Sequence, residues 1–490
     1  MNVRSRLALF LASLTLAAGG VASAFAAEPP KRPNVLFLIS DDARTDLGCY
    51  GNPQVRSPNI DALAKAGVRF ERAYVQYPLC NPSRTSMLTG RYPTTTGIMD
   101  NTSYFGSIHP EFVSLPKHFK ANGYATLRAG KIFHEGIDDT EAWTEGGEPR
   151  LRKDVPPDRN PNPTAATAKK KAAARVAPAP TEERSKSDRI VVLEGDGESH
   201  PDFKAADRAI DYLRRYAGKD EPFFLACGFV KPHSPPQAPK RFFAMYDVDR
   251  IPLPPDFAPT PGAPEGFPKA SILERNIDLF VAREATPEAA REMKRAYWAS
   301  LSWMDWNLGR VVAELDRLGL RERTVVVFWG DHGYHLGEKG KWSKHQSLYE
   351  VVGRVPLIFD VPAASGDGRP CPRVVESIDI YPTLVELCGL PMPSGLDGRS
   401  LVPLLNDPRA DWPHPALMFL GNAGRHLGTA VRDDRYRYAE YYDPERGGKM
   451  LFDEESDPHE LKNLADDPKY AGVRAGLEDV ARKFRPRQGR

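Results

Sequence analysis

Two short apolar runs that stop abruptly at acids constrain this chain more than any other feature. "RPNVLFLISDDAR" carries an apolar stretch at 35–39 and then Asp41 and Asp42; "TVVVFWGDHGYHLGE" repeats the design from 324 and ends in Asp331 and His332. Unbroken apolar runs of this length, rich in β-branched residues, are the mark of strands buried on both faces. Further strands are expected at 223–230 and 355–359, with helical stretches at 60–66, 115–122, 203–216 and 287–318 between them. Strands alternating with helices predict an α/β fold whose largely parallel sheet is covered on both sides. In such sheets ligands collect beyond the carboxyl ends of the strands, where Asp41, Asp42, Asp331 and His332 would all fall. Each acidic pair alone reads as a helix cap or the end of a turn. Brought together from two strands, they would repel one another unless a cation lay between them, so the pattern as a whole points to a metal.

The rest of the chain sets the frame. At 490 residues, 41% of them hydrophobic, it is long enough for a large core and more than one domain. Lys and Arg (67) nearly cancel Asp and Glu (65), which gives no reason to expect a nucleic-acid partner. The first 26 residues have arginines, an apolar stretch at 7–18 and small residues around Ala22, Ala24 and Ala26, the layout of a signal peptide. That stretch is shorter than the roughly 20 residues of a spanning helix, so the mature chain is expected to be exported, periplasmic or secreted, with no membrane span. A catalytic domain is expected over 28–405, interrupted at 144–195 by a flexible insertion rich in Pro, Ala and Lys. Lys169, Lys170 and Lys171 within it read as a solvated run rather than a glycan contact. Past 410 the chain becomes proline-rich, then strand-like at "TAVRDDRYRYAEYY", and ends in a helix near 473–484, which predicts a smaller C-terminal subdomain over 410–490.

Five cysteines lie at 49, 80, 227, 371 and 388. An odd count is unusual for an exported chain. Cys227 sits in the apolar run "PFFLACGFV" and reads as a buried thiol; with Cys80 set aside, four cysteines allow three pairings that sequence does not rank. Cys80 itself opens "CNPSRTSMLTGRYP", just before a predicted helix. Helix N–H groups and Arg84 would hold an anion there, and that setting is expected to lower a thiol pKa.

The motif "CNPSRTSMLTGRYP" resembles the signature of the type I sulfatases, whose cysteine is oxidised to formylglycine. "NVLFLISDDAR" and "WGDHGYHLGEKGKWSKHQSLYE" are similar to their two metal segments, and "GKIFHEG" and "GFVKPHSPP" to the segments carrying their lysine and histidine pairs. Similarity extends through "VESIDIYPTLVELCGLPMP" and "DGRSLVPLL", and faintly to "LFDEESDPHELKNL". Within that family, His332, "GKIFHEG" and "KPH" resemble the iduronate-2-sulfatase-like branch. The resemblance implies an alkaline-phosphatase-like α/β/α sandwich. It also implies one divalent cation, Ca2+ by family habit, held by Asp41, Asp42, Asp331, His332 and the modified Cys80. Arg84 would steady the aldehyde hydrate, Lys131 and Lys344 would grip the sulfate, His134 would handle the hydrate's proton, and His233 would protonate the leaving oxygen. A formylglycine-generating maturation enzyme and a sulfated carbohydrate, plausibly one containing uronate, are the implied partners.

Three readings follow. The first is an exported sulfatase; the second is a phosphate or phosphonate ester hydrolase of the same superfamily, since basic residues suit either anion. The third is a metal-dependent glycan binder with unconverted cysteine, which would have no use for both a nucleophile and an acid. His335 and His345 are expected either to touch substrate or to sit on an exposed loop, Lys231 to face the pocket, and Asp379 to be a helix-start acid.

Overall fold

The computed structural model describes residues 32–150, 186–422 and 425–485. The expected signal peptide and most of the insertion, including Lys169, Lys170 and Lys171, lie outside the described residues. From Pro33 onward the chain belongs to one compact unit.

The acid-tipped runs are indeed the centre of a sheet. In chain order the strands are β1 (Asn34–Asp41), β2 (Val68–Tyr74), β3 (Ala125–Gly130), β4 (Val191–Leu193), β5 (Phe223–Pro232), β6 (Gln237–Pro239), β7 (Thr324–Gly330), β8 (Arg354–Asp360) and β9 (Pro370–Glu376). Seven of them pair in the order β3-β5-β1-β7-β8-β2-β9; β8 alone runs antiparallel to its neighbours. β1 lies between β5 and β7, parallel to both, and is buried along its whole length.

Alternation along β1 divides the core. Val35, Phe37 and Ile39 face one layer, which contains α2 (Cys80–Thr89), α3 (Leu115–Ala121) and α6 (Ile380–Leu387) through Met87, Leu88, Phe119, Tyr381 and Leu384. Leu36 and Leu38 face the other, built on α1 (Pro58–Ala66), α4 (Pro201–Tyr216) and α5 (Pro287–Arg317) through Leu63, Leu213, Trp298 and Met304. With side chains alternating at period two and both sets apolar, the sheet must be covered twice, giving an α/β/α sandwich. Helix α5 begins at a Thr286 cap whose side chain accepts from Ala289 N, with Pro287 in its first turn.

The C-terminal strands β10 (Ala416–Asn422), β11 (Arg425–Arg432), β12 (Tyr436–Tyr441) and β13 (Gly448–Asp453) form an antiparallel sheet covered by α7 (Ala471–Arg482). Backbone N–H groups of β10 dock it beside the main sheet: Leu417 N donates to the Glu376 side chain at Oε1 (2.8 Å) and Phe419 N to Gln76 O (2.8 Å), just past β2. The ends of the 144–195 stretch are woven into the fold. Thr144 N donates to Thr126 O (2.7 Å), and β4 pairs with β6. No helix among the described residues is long and apolar enough to cross a membrane, and no disulfide joins any of the five cysteines.

Candidate active site

At the carboxyl edge of the sheet, the two acid-tipped strands meet the first turn of α2. All ten residues of α2 are buried although six are polar. A helix enclosed on every side is ordinarily apolar, so each polar group here calls for a partner, and most have one; Ser86 Oγ and one nitrogen of Arg84 do not. Ser83 Oγ donates to Asp331 O, and Asn81 Nδ2 to Asp100 O (2.8 Å) and Ser103 O (2.8 Å). Arg84, without solvent exposure, donates from Nε to Asp331 Oδ2 (2.8 Å) and from Nη1 to the carbonyls of Lys131 (2.8 Å) and Ile132 (2.9 Å). Its remaining nitrogen, Nη2, has no hydrogen-bond partner and lies 3.8 Å from Asp41 Oδ1.

Cys80 Sγ sits 3.4 Å from Asp41 Oδ1 and 3.3 Å from His332 Nε2. Asp41, Cys80, Asp331 and His332 offer ligand atoms that all lie within 4.8 Å of one another, and every one is buried. Asp42 extends the set: it forms a second such group with Cys80 and His233, and its Oδ1 is 3.4 Å from His332 Nε2. Asp42 takes a left-handed conformation (φ 64°), tolerable for aspartate, and is held there by its N–H on Asp331 Oδ1 (2.9 Å) and by Tyr297, whose hydroxyl donates to its carbonyl (2.6 Å). His332 Nδ1–H donates to Gly333 O (3.0 Å), which fixes the tautomer and leaves the Nε2 lone pair facing the cluster.

The electrostatics fit a divalent cation. Burial pushes the Asp42 carboxyl up to about 6 and raises that of Asp331, where nearby Asp41 adds to the effect. Burial also acts on Asp41, but Lys131, His233, Arg84 and Lys344 outweigh it and hold this carboxyl well below its usual range. Three buried carboxylates and an imidazole nitrogen make a hard, mainly oxygen donor set of the kind that takes Ca2+, with the nitrogen also compatible with other divalent ions. The lysines are close: Lys131 Nζ is paired with Asp41 Oδ2, and Lys344 Nζ lies 3.1 and 2.9 Å from the two oxygens of Asp42.

The thiol differs from expectation. Burial, reinforced by Asp41, pushes the Cys80 thiol well above its ordinary pKa. Desolvation outweighs the helix end and the cations, so burial disfavours the thiolate form of unconverted Cys80.

Around this floor stand the remaining residues named from sequence. His233 follows β5; its Nδ1–H donates to Ser234 O (2.7 Å), and burial together with Lys344 holds the ring well below the ordinary histidine range. His134 is half-buried in the turn after β3, its carbonyl accepting from Ile137 N (2.9 Å). Lys231 is buried, but its ammonium donates to His233 O (2.6 Å) and Pro235 O (2.8 Å); it ties down the loop bearing His233. His335 is neither on an exposed loop nor placed against the cluster: it is fully buried, with Nε2 2.9 Å from Ser347 Oγ. His345 is half-buried, with Nδ1 3.7 Å from Asp278 Oδ2. Asp379 accepts from Glu376 N (2.9 Å) and Arg399 N (2.7 Å), a cap, as expected.

Three positioning groups were not found from sequence. Tyr297 comes from α5, and Asp202, at the start of α4, accepts from the N–H groups of Val230 and Lys231 (both 2.8 Å), holding the end of the strand that His233 follows. Gly228 lets β5 approach the residue after β3: Lys131 N donates to Gly228 O (2.9 Å), and a Cβ on Gly228 would lie 1.8 Å from Lys131 O. Gly228→Ala is therefore expected to push Lys131 off Asp41. It should cost about 1–3 kcal/mol of stability and lower kcat/KM about tenfold, read by thermal denaturation and steady-state kinetics.

Residues 33–390 match the Sulfatase family, and residues 337–486 match the N-sulphoglucosamine sulphohydrolase C-terminal family. The chain is 34% identical over 400 residues to iduronate 2-sulfatase of Homo sapiens, covering 74% of this chain and 70% of the relative. It is 31% identical to a sulfatase of Formosa agariphila, covering 90% and 84%. In fold it is similar to the phosphonate monoester hydrolase of Agrobacterium radiobacter (TM-score 0.71, 23% identity, 92% and 95% covered). A 2-O GAG sulfatase is also similar (TM-score 0.63, 22% identity, 92% of each chain). The chain belongs to the sulfatase family, within the alkaline-phosphatase-like superfamily, and is a sulfuric ester hydrolase.

Proposed function

We propose that this enzyme is exported and removes an O-sulfate from a uronate-containing polysaccharide, with Cys80 converted to formylglycine by a maturation enzyme and with one divalent cation, Ca2+, at Asp41, Asp42, Asp331 and His332. The observation that carries the reading is the placement of Cys80 Sγ between Asp41 Oδ1 and His332 Nε2, at 3.4 and 3.3 Å, with Lys131 paired to Asp41 and Lys344 to Asp42. Converted Cys80 supplies a geminal diol, one hydroxyl of which attacks sulfur while the other allows sulfate to be expelled by collapse to the aldehyde. The cation, when bound, supplies charge to the outer sulfate oxygens and orients them.

The remaining work belongs to side chains. Arg84, pinned by Asp331 and two carbonyls with Nη2 left without a hydrogen-bond partner, steadies the hydrate. Lys131 and Lys344 hold sulfate oxygens, whose charge grows as the ester bond breaks, and so favour the transition state over the ground state. His134 takes the hydrate's proton. His233 protonates the leaving oxygen through Nε2, since its Nδ1–H is committed to Ser234 O.

His233 gives this reading a pH signature. Burial and Lys344 hold it below the ordinary histidine range, so in the free enzyme the protonated acid is a minority at neutral pH. kcat/KM should already be falling, about tenfold per pH unit, across the neutral range, on a limb that begins below the ordinary histidine value of about 6.5. His233→Ala should flatten that limb and lower kcat by about 10²–10⁴, most for alkoxide leaving groups. A profile that stays flat in the wild type would remove His233 from the role.

Support for the uronate comes from the likeness to the iduronate 2-sulfatases of Homo sapiens and Mus musculus, 34% and 31% identical. Defined disaccharides sulfated at single positions, assayed beside aryl phosphate and phosphonate esters, test it. The 2-O-sulfated uronate should be turned over fastest. Faster turnover of a phosphorus ester, or no preference for uronate, would contradict the proposal. Export rests on the first 26 residues and is tested by cell fractionation.

A further inference from the structure

The segment that leads into α5 brings a fourth carboxylate to the site. Asp278 is buried, and its Oδ2 lies 3.8 Å from Lys344 Nζ and 3.7 Å from His345 Nδ1. It belongs to neither of the two groups able to hold a metal. Both Asp278 Oδ2 and His345 Nδ1 are buried without a hydrogen-bond partner, and so is the ammonium of Lys341 three residues before Lys344. Buried polar atoms are rarely left this way without a functional reason.

The placement of Asp278 does not depend on the carboxylate cluster. Asn276 Oδ1 accepts from Trp342 N (2.8 Å), Asn276 Nδ2 donates to Gly340 O (3.3 Å), and Leu279 N donates to Trp342 O (3.4 Å). Three hydrogen bonds, two at Asn276 before Asp278 and one at Leu279 after it, thus lock its segment to the loop that carries Lys344. Phe280 and Ala282 both adopt positive φ (54° and 58°), a conformation unfavourable for such residues and one that persists only where surroundings dictate it.

Lys344 spends its ammonium on both oxygens of Asp42. A divalent ion at the cluster would compete for those oxygens and repel the ammonium. One carboxylate within reach of Lys344 would remain outside that competition. We propose that Asp278 is a positioning residue: it is the counter-charge that keeps Lys344 directed at the sulfate when Asp42 is engaged by the cation. This rests on the reading that Lys344 grips sulfate.

The test is a double-mutant cycle on the metal-loaded, matured enzyme, with Asp278→Asn, Asp278→Glu, Lys344→Ala and the Asp278→Asn/Lys344→Ala double variant. Sulfate-ester kinetics, inhibition by inorganic sulfate, bound metal and melting temperature are read for each. Asp278→Asn should lower kcat/KM roughly 10–100-fold and weaken inhibition by sulfate about tenfold, with bound metal unchanged and partial recovery in Asp278→Glu. In the double variant, loss of Asp278 should add nothing to the Lys344→Ala defect, because neighbours acting through one another are not additive. Additive losses, loss of metal in Asp278→Asn, or kcat/KM within twofold of the wild type would overturn the proposal. If Lys344→Ala itself keeps full activity and sulfate affinity, the underlying reading of Lys344 fails, a result distinct from failure of Asp278 alone.

Discussion

Cys80→Ala should abolish sulfate-ester hydrolysis, lowering kcat by about 10⁴–10⁶-fold, the range seen when a covalent nucleophile is removed. The fold should hardly notice. Cys80 makes two long sulfur contacts and no backbone bond through its side chain, and the helix it opens is held by Asn81, Ser83 and Arg84. Removing one buried sulfur from a tightly packed place leaves a small cavity, and its cost should stay within the ordinary range of about 0.5–3 kcal/mol for a single substitution. Metal uptake should persist through Asp41, Asp331 and His332, at lower affinity. Cys80→Ser should be nearly as inactive. Its hydroxyl has no second oxygen on the same carbon, so even a successful attack would leave a stable sulfate ester after one turnover. Retained multiple turnover in either variant would contradict the mechanism; a chelator titration beside the kinetics separates loss of the nucleophile from loss of the ion.

Asp331→Asn should have an effect of similar size for a different reason. Asp331 has two duties: Oδ1 accepts the N–H of Asp42, and Oδ2 accepts Nε–H of Arg84, with both residues fully buried. Asparagine can keep one acceptor but turns an amide N–H₂ toward a guanidinium that has nowhere to find solvent. Breaking a buried pair by neutralising one partner costs about 3–5 kcal/mol, because the other charge stays buried and uncompensated. The same change removes one of three carboxylates from the cation cluster. The variant should therefore lose bound metal, lose kcat by at least about 10³-fold, and unfold at lower denaturant concentration. Excess Ca2+ should restore part of the metal occupancy but not the full stability, since Arg84 remains mispaired. A variant with wild-type stability and wild-type metal content would show that Asp331 is not the hinge between α2 and the cluster.

What could be read from sequence follows a physical pattern. β1 and β7 were legible because a strand buried on both faces has an unbroken apolar run, and their acids were legible because such runs end at the ligand edge of the sheet. Cys80, Arg84, Lys131 and His233 became legible through motifs that resemble a family rather than through periodicity. β2 was missed because "VRFERAY" interleaves charges with apolar residues: Arg69, Glu71 and Arg72 are partly exposed, as suits a strand near the sheet edge. Asp278 was invisible for a further reason. It lies in an irregular segment without period, and the Lys344 it faces is remote in the sequence, so only folding brings the two within 3.8 Å. His335 was misjudged because a loop that carries no apolar rhythm is expected at the surface, whereas the stretch from Asp331 to Trp342 is packed beneath the site and almost wholly buried. The thiol pKa was misjudged by weighing the helix end and the arginine while the desolvation of a fully enclosed sulfur, which is larger, had no signature in the sequence.

Peptide mass spectrometry of the segment around Cys80, taken from preparations of graded specific activity, bears most directly on the mechanism. The account predicts that side chain 80 has lost H₂S and gained one oxygen, and that the converted fraction rises in proportion to kcat. Fully active enzyme in which residue 80 still carries its sulfur would contradict it.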